Sequence, residues 1–378
     1  MLAHSSCLYL CRPREEELDI SPRGRWIDTI VQSWDVTEEA AHKQMDLFVR
    51  EGVARYERDR ARVDIPLASS RLSPYLKHGL LSPRALYWRV EDEAKRLKVG
   101  KEWRTFRHRL LWREVAYFQL KTFPDLPTVG VRTHYDQQRW TGNLEAVEAW
   151  RRGRTGYPLV DAAMRELWAT GWIQQNMRMV VASFLIEFLG EDWRHGMRWF
   201  HDTLVDNDLA INSMMWQNAG HSGVDQWNFV LLPENGKSRD PKGIYVRKWC
   251  PELKDVPLKY LFTPWLHSSS YTPRIVMDLQ AAKARSFEST LELRRANPDF
   301  VDSNGYDIIV LPTGQRTRVF TKREFRSPAT GTRSSETTPN GKRKSNPSDP
   351  APIGQRQKVQ KSMDVFVAKP ASAPIAVL

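Results

Sequence analysis

Tryptophan is distributed unevenly along this chain, and its distribution limits where a folded core can form. All fifteen tryptophans lie between Trp26 and Trp265, and the last 113 residues contain none. Large aromatic side chains bury much of the apolar surface of a protein, so we expect the core within this stretch. The 58 residues from Thr321 to Leu378 contain eleven Lys and Arg against four acidic residues, which is +7 of the net charge of +12. Their Ser-, Pro- and Lys-rich composition predicts a disordered basic tail.

Composition excludes several classes of protein. Three cysteines are too few for a disulfide framework, which predicts a reducing compartment. The longest apolar stretch, Met179–Leu189, has eleven residues and contains Glu187, whereas a membrane span needs about 20 apolar residues. No basic segment precedes the short apolar run at the N-terminus, so a secretion signal is not indicated. We therefore expect a nuclear or cytoplasmic protein.

Helix start and stop signals predict a mainly α fold. Ser73-Pro74 and Ser82-Pro83 each place a capping serine before a proline, which predicts two helix starts nine residues apart. The Thr155–Pro158 cluster predicts a third start, and an apolar helix stripe follows it and ends near Gly171: Val160, Met164, Leu167 and Trp168. The next helix has a broad apolar face: Met177, Val180, Val181, Phe184, Leu185 and Phe188. Its other face is predicted to present Gln175, Arg178, Met179 and Ala182. Only Ile308–Val310 looks like a strand.

Three groups of residues could support chemistry, and each has a plain structural alternative. Asp208 and Asn212 lie one helical turn apart, close after Asp206, so they could bind ring N–H groups or form a solvated helix N-terminus. The segment 69–73 precedes a predicted helix and could bind phosphate through hydroxyls and backbone N–H groups, or form a capping loop. The tryptophans alone are more often core anchors than electron carriers. The sequence has no glycine-rich nucleotide motif, paired-His zinc motif or catalytic triad.

Taken in order, eight segments resemble the FAD-binding domain of the photolyase/cryptochrome family. They are Ser-Arg-Leu-Ser-Pro-Tyr-Leu (70–76), Leu-Trp-Arg-Glu (111–114), 155–167, Thr-Gly-Trp (170–172), 178–185, Asp-Trp-Arg (192–194), 206–217 and 245–253. The run at 222–229 is more similar to plant-type and algal photolyase-like members. The resemblance implies a helical FAD-binding domain at 37–265, with an N-terminal extension (1–36), a C-terminal extension (266–320) and the tail (321–378).

The resemblance also assigns residues to the cofactor. Arg178 would pair with Asp206 beside the flavin, Asp208 would accept a hydrogen bond from the isoalloxazine edge, and Asn212 would face N5. The phosphates and ribose would be held by Tyr56, Ser69, Ser70, Arg71, Leu72 and Ser73, with Arg113 lining the same cavity. An electron-hopping chain would run outward from the flavin through Trp216, Trp193 and Trp140, which implies that light reduces the bound FAD.

Departures from the family pattern fall in the pocket for damaged DNA. Arg109 stands where repair photolyases have a glutamate, and Gln175-Asn176 stands in place of an Asn-Arg pair. Asn218 replaces one of the two tryptophans that hold the flipped lesion, whereas Trp112 and Met179 are kept. One lost stacking contact costs about 1–3 kcal/mol. These departures and the tail favour a cryptochrome-like photoreceptor, and Asn212 favours the alternative, a DNA photolyase that splits pyrimidine photoproducts.

Two further expectations concern the ends of the chain. Only about 36 residues precede the resemblance, which leaves no obvious antenna domain for a folate or deazaflavin. The open alternatives are a shortened family member, an incomplete gene product, or a remnant that no longer holds FAD. In the tail, Lys342-Arg343-Lys344 predicts an import signal or a basic linker. Gln360, Met363 and Phe366 are spaced as in a sliding-clamp-binding motif, so the expected partners are DNA, a signalling protein and a clamp.

Overall fold

The computed structural model describes residues 25–227, 229–267 and 271–326. Its α-helices are α1 Arg25–Gln32, α2 Glu38–Glu51, α3 Tyr56–Asp59, α4 Ser73–Lys77, α5 Pro83–Leu97, α6 Gly100–Thr122, α7 Leu144–Arg151, α8 Pro158–Thr170, α9 Gln175–Ser183, α10 Trp193–Thr203, α11 Leu209–Ala219, α12 Ile244–Trp249 and α13 Leu279–Ala296. A hairpin of β1 Ile308–Val310 and β2 Arg316–Arg318 follows. The mainly α prediction is confirmed. The predicted import signal and the clamp motif at Gln360, Met363 and Phe366 lie outside the described residues.

All three predicted helix starts are present, and two of them have the predicted form. Ser82 caps α5 by accepting from the Ala85 backbone N–H, and α8 begins at Pro158. The prediction that Ser73 caps a helix is wrong, because Leu72 is the N-cap of α4 and Ser73 is its first residue. The Ser73 hydroxyl instead accepts a hydrogen bond from the indole N–H of Trp172 at 3.1 Å. A long-range contact therefore replaces the local cap.

The central pair of helices, α8 and α9, follows the predicted periodicity closely. Gly171 ends α8 in the left-handed region at φ 66°, where glycine is favoured. The predicted apolar face after Ile173 is buried, and α9 continues into a π-helical turn at Phe184–Leu189. Ala182, predicted on the other face of this helix, is buried at 3% exposure and lines the same cavity as Gln175 and Arg178, as that prediction requires. Ala182 thus faces a cavity between helices rather than solvent.

Three apolar clusters form the core. The largest combines α8, α9, the π-helical turn and α10 with residues from α12 and α13. A second packs α2, α4 and α5 against the first half of α6. The third joins the second half of α6 to α11 and the hairpin. Because α11 packs against both α10 and α6, its side chains meet both neighbours, and the cavity lies beside it.

A buried ionic cluster holds the hairpin segment, and we call it the C-terminal anchor: Arg132, Arg294 and Asp307. Both guanidinium groups donate to the Asp307 carboxylate, and all three residues are at most 5% exposed. The hydroxyl of Tyr135 also donates to Asp307, at 3.1 Å. Burial lowers the pKa of Arg132 to about 10, which still leaves it charged at neutral pH. The anchor thus ties the residues after α13 to the loop that precedes α7.

The described ranges contain neither a membrane-spanning helix nor a cluster of metal-ligating side chains. None of their helices combines the length and apolar character that crossing a membrane requires. Within the same ranges, His, Cys, Asp and Glu side chains form no group of three or more that could hold a metal ion.

Candidate functional site

A partly open cavity lies where α9, α10 and α11 meet. Its walls are mainly apolar, and several polar side chains converge on it. The lining residues are Gln175, Arg178, Ala182, Phe200, Leu204, Asp206, Asn207, Asp208, Ile211, Asn212, Met215, Trp216 and Trp227. An apolar cleft with a few convergent polar groups is the usual form of a small-molecule site. We call Asp206, Asn207, Asp208 and Asn212 the polar wall.

The predicted ion pair of Arg178 and Asp206 is present at this cavity. One guanidinium nitrogen, Nη2, donates to both carboxylate oxygens of Asp206, at 3.0 and 2.7 Å. The Nε of Arg178 donates to the backbone carbonyl of Ile173 at 2.9 Å, which fixes the side chain. The Asp206 side chain is only 2% exposed. The alternative that residues 206–212 form a solvated helix N-terminus is therefore wrong. The segment does begin a helix, but both of its aspartates are buried.

Asp208 is the N-cap of α11 and has a second partner that the sequence did not reveal. Its Oδ1 accepts from the backbone N–H of Ile211 at 3.1 Å. Its Oδ2 accepts from the hydroxyl of Tyr117 on α6. Partial burial and this hydrogen bond raise the pKa of Tyr117, so the phenol remains a donor at neutral pH. The two residues are 91 positions apart, which is why local spacing gave no signal.

Two asparagines of the polar wall have their amide nitrogens engaged within the protein. Asn212 Nδ2 donates to the backbone carbonyl of Met197 at 2.9 Å. Asn207 Nδ2 is 2.8 Å from Nδ1 of His201, whose pKa is lowered by burial. Asn207 Oδ1 is buried and has no hydrogen-bond partner among the described residues. A ligand with an N–H donor would satisfy this oxygen. The polar wall therefore offers acceptors to a ring that carries N–H groups, such as isoalloxazine.

Of the three tryptophans of the predicted electron chain, Trp193 begins α10, Trp216 lies on α11, and Trp140 lies in the loop before α7. Trp216 lines the cavity at 3% exposure, Trp193 is 1% exposed, and Trp140 is half-buried against the same core. A Cβ at Gly196 would meet the Trp216 ring at 2.1 Å, and a Cβ at Gly220 would meet Trp193 at 2.6 Å. Glycine at these two positions is thus needed for each indole to lie against the neighbouring helix backbone.

Comparison with known proteins gives the family. Residues 106–290 match the model for the FAD-binding domain of DNA photolyase. The deoxyribodipyrimidine photo-lyase of Agrobacterium fabrum is 36% identical over 262 residues, covering 67% of this chain and 54% of that protein. This chain belongs to the photolyase/cryptochrome family. Arabidopsis thaliana cryptochrome-2 is 32% identical over 276 residues, covering 70% of this chain and 44% of the relative.

Solved structures of family members agree with the fold. A bacterial class III photolyase from Agrobacterium tumefaciens superposes with a TM-score of 0.68 at 33% identity, covering 72% of this chain and 59% of that one. A Synechocystis cryptochrome gives a TM-score of 0.62 at 28% identity, covering 68% and 56%. The chain spans about half the length of the curated relatives it matches. Bacterial photolyases match at 36–38% identity and the plant cryptochrome at 32%, so these identities do not favour the plant branch.

The other residues that the family resemblance assigns to FAD are not among those lining the cavity. Tyr56 packs edge-on against Phe48 and Phe106, and Leu72 is a core residue at 1% exposure. Arg71 has a positive φ of 54°, and its guanidinium lies between Trp34 and Trp172, 4.9 and 4.7 Å from the ring centres. Ser69 and Ser70 are half-buried, and Arg113 lies over the Tyr117 ring at 5.7 Å.

A chain of contacts nevertheless connects the 69–73 loop to the cavity. Ser73 binds the Trp172 indole, and the next residue, Ile173, accepts from Arg178 at the cavity. Gln44 donates to the Ser70 carbonyl at 2.8 Å and holds the loop from the other side. The 69–73 loop and the polar wall are therefore connected through direct contacts. A cofactor whose ring and phosphates bind at separate places requires such a connection.

The residues predicted to contact DNA differ in how far they are exposed. Gln175 lines the cavity, and Trp112, Asn176 and Met179 are half-buried, whereas Arg109 is exposed on α6. Asn218 is 3% exposed, and its Oδ1 accepts from the backbone N–H of Asp225 at 3.2 Å. This asparagine therefore organises the loop after α11.

Proposed function

We propose that the chain holds the isoalloxazine of FAD in this cavity and reduces it on illumination through Trp216, Trp193 and Trp140, as a cryptochrome-like photoreceptor. The observation that carries the proposal is the position of Trp216. It lines the cavity, and its ring lies against Gly196 of α10, the helix that begins with Trp193. When bound, FAD supplies light absorption and accepts the electron.

The polar wall has the chemistry that this role needs. Arg178 places a positive charge next to the ring and is itself held by Asp206. The Nδ2 of Asn212 donates one hydrogen bond to the Met197 carbonyl, which orients the amide and leaves its oxygen and its second N–H for the ligand. Asn207 Oδ1 adds a second acceptor. Protein groups that are fixed before the ligand arrives stabilise charge without having to reorganise.

Two features favour the photoreceptor role over repair. The Asn218 side chain is buried and engaged with Asp225, so it offers no aromatic face to an extruded base. Arg109 places a positive charge where the family's repair enzymes have an acid. Both features weaken the binding and splitting of a flipped pyrimidine dimer.

The alternative is a DNA photolyase, and the relatives favour it. Proteins at 36–38% identity are named deoxyribodipyrimidine photo-lyases, and the neutral amide of Asn212 suits a fully reduced flavin. DNA is then the substrate, with Trp112, Gln175, Asn176 and Met179 at the lesion pocket. A nuclear location and clamp binding through Gln360, Met363 and Phe366 stay predictions from the sequence.

The two functions separate in one experiment on the purified full-length chain. A flavin absorption spectrum after gel filtration is expected, and a folded but colourless chain would contradict both. The FAD-loaded protein is then illuminated with DNA containing cyclobutane dimers. Flavin reduction without dimer loss is the photoreceptor result, and repeated turnover of dimers is the photolyase result. Restoring tryptophan in Asn218→Trp together with Arg109→Glu should increase any dimer binding.

A further inference from the structure

A tyrosine and a carboxylate form a hydrogen-bonded pair at the edge of the cavity, and the proposed function gives the tyrosine no role. The Tyr117 hydroxyl donates to Asp208 Oδ2, and Asp208 lines the cavity. The phenol oxygen is therefore separated from the cavity by a single carboxylate. Packing of α6 against α11, the two helices that carry the pair, holds it in place. The other Asp208 oxygen is engaged by the Ile211 backbone, which fixes the orientation of the carboxylate.

This arrangement matches what the oxidation of a phenol requires. A tyrosine that loses an electron becomes far more acidic, so it is oxidised most readily where a base can take its proton at once. Asp208 Oδ2 is such a base, and it already holds the phenol hydrogen in a hydrogen bond. The Tyr117 side chain is also 42% exposed, so small solutes can reach it from solvent. A redox-active side chain needs both a proton acceptor and a route by which it is restored.

We propose that Tyr117 is a second electron donor to the light-excited flavin, parallel to Trp216. The inference rests on the proposed function, since it requires FAD in this cavity. Tyr117 transfers one electron to the oxidised, excited isoalloxazine, its O–H bond breaks, and the proton moves to Asp208 Oδ2. A neutral tyrosyl radical and a protonated Asp208 carboxyl remain. An added thiol, reacting as its thiolate, then returns one electron to the tyrosyl radical and becomes a thiyl radical, while Asp208 returns the proton to the phenol oxygen.

Two other tyrosine–aspartate pairs provide matched comparisons. Tyr271 donates to Asp161 at 2.6 Å, and Tyr135 donates to Asp307 at 3.1 Å. Neither Asp161 nor Asp307 lines the cavity. Both pairs thus place a phenol hydroxyl on a carboxylate, as Tyr117 and Asp208 do, but lack the contact with the site. A Tyr271→Phe substitution removes a hydroxyl of the same kind without touching the proposed pathway.

The test uses full-length, FAD-loaded chain in which Trp216→Phe blocks the tryptophan pathway. A light flash should leave slow residual flavin reduction together with the electron paramagnetic resonance spectrum of a neutral tyrosyl radical. Adding Tyr117→Phe should abolish the radical and lower the residual rate by at least about tenfold, whereas adding Tyr271→Phe should change neither. Heavy water should slow the residual reaction, because the proton moves with the electron. A tyrosyl signal that survives Tyr117→Phe, or a Trp216→Phe variant with no residual reduction, overturns the inference.

A second measurement does not depend on the cofactor. In the FAD-free chain, ultraviolet titration of wild type minus Tyr117→Phe should show a phenol that ionises above its ordinary pKa, and Asp208→Asn should lower that pKa. An ordinary pKa in the wild type would contradict the hydrogen bond and hence the inference. If the chain holds no FAD, the proposed function and the inference fail together. If FAD is held and reduced through Trp216 while Tyr117→Phe has no effect, only the inference fails.

Discussion

The polar wall of the cavity and the C-terminal anchor both bury carboxylates, but they use them differently. In the anchor, Asp307 accepts from two guanidinium groups and a tyrosine hydroxyl, and its side chain is fully buried. In the polar wall, Asp206 has one arginine, Asp208 has a hydroxyl and a backbone N–H, and Asn207 Oδ1 has no partner among the described residues.

The difference separates a structural ion cluster from a binding site. A buried charge costs free energy unless it is paired, so both regions need their arginines. The anchor satisfies its carboxylate within the protein and lies away from the cavity. The polar wall keeps an unused acceptor on Asn207, a residue that lines the cavity, and a ligand with an N–H group would satisfy it. Polar groups that converge on a cavity, rather than burial or charge alone, distinguish the polar wall from the anchor.

The largest predicted effect comes from breaking the anchor. Asp307→Ala leaves Arg132 and Arg294 buried without an anion, which should lower the free energy of unfolding by about 3–5 kcal/mol. Urea unfolding followed by circular dichroism measures this loss. Because the anchor does not line the cavity, FAD affinity of the folded fraction should stay unchanged. Reduced FAD affinity in that fraction would show that the two regions are not independent.

An exposed ion pair provides the control for the anchor. Glu288 accepts from Arg295 at 2.8 Å, and both side chains are more than half exposed. Glu288→Ala should therefore change stability by only about 0–1 kcal/mol. A loss as large as that of Asp307→Ala would mean that removal of any acid destabilises the fold.

The second predicted effect comes from displacing the Trp216 ring at the cavity. Gly196→Ala places a methyl group where the Trp216 ring lies, since the added Cβ would be 2.1 Å from the indole. Overpacking should cost about 1–3 kcal/mol, and displacement of Trp216 should also slow flavin reduction. Gly100→Ala at the start of α6 meets no atom within 4 Å and should be neutral or slightly stabilising. Normal flavin reduction in Gly196→Ala would argue against Trp216 as the proximal donor.

The third effect appears only as the pH rises toward neutral and above, and it concerns a carboxyl that has a hydroxyl partner instead of an arginine. Glu166 accepts from the Tyr245 hydroxyl at 2.6 Å, and burial raises the pKa of Glu166 to about 7. The folded state therefore holds this proton more tightly than the unfolded state does. Stability should fall as the pH rises from about 4.5 through 7. Glu166→Gln should remove that loss, gaining roughly 1–3 kcal/mol above pH 7 and little near pH 5. Equal pH profiles for the two proteins would contradict the raised pKa.

Local signals in the sequence predicted much of the fold. Ser82-Pro83, the Thr155–Pro158 cluster and Gly171 marked helix ends correctly, because capping and left-handed termination depend on neighbouring residues. The prediction that Ser73 caps a helix was wrong, because its hydroxyl accepts a hydrogen bond from Trp172, which is 99 residues away. The π-helical turn at Phe184–Leu189 was also missed, since apolar residues continue through it without interruption.

The site was predictable only in part. The pairing of Arg178 with Asp206 followed from the family resemblance and is present in the structure. Tyr117 and Asn207 were missed, because the first reaches Asp208 from a different helix and the second is an ordinary residue between two aspartates. Tertiary packing places both side chains, and no spacing rule describes it. The flavin contacts themselves, and the boundaries at 37, 265 and 320, stay predictions.

The account is tested most directly by light-driven reduction of FAD bound to the full-length chain. Absorbance is recorded under blue light with a thiol present for wild type, Trp216→Phe and Trp88→Phe, the last being an exposed tryptophan on α5. We predict that wild type and Trp88→Phe lose oxidised flavin at the same rate, whereas Trp216→Phe is slower by about tenfold or more. An unchanged rate in Trp216→Phe, or a folded wild type that carries no flavin, would contradict the account.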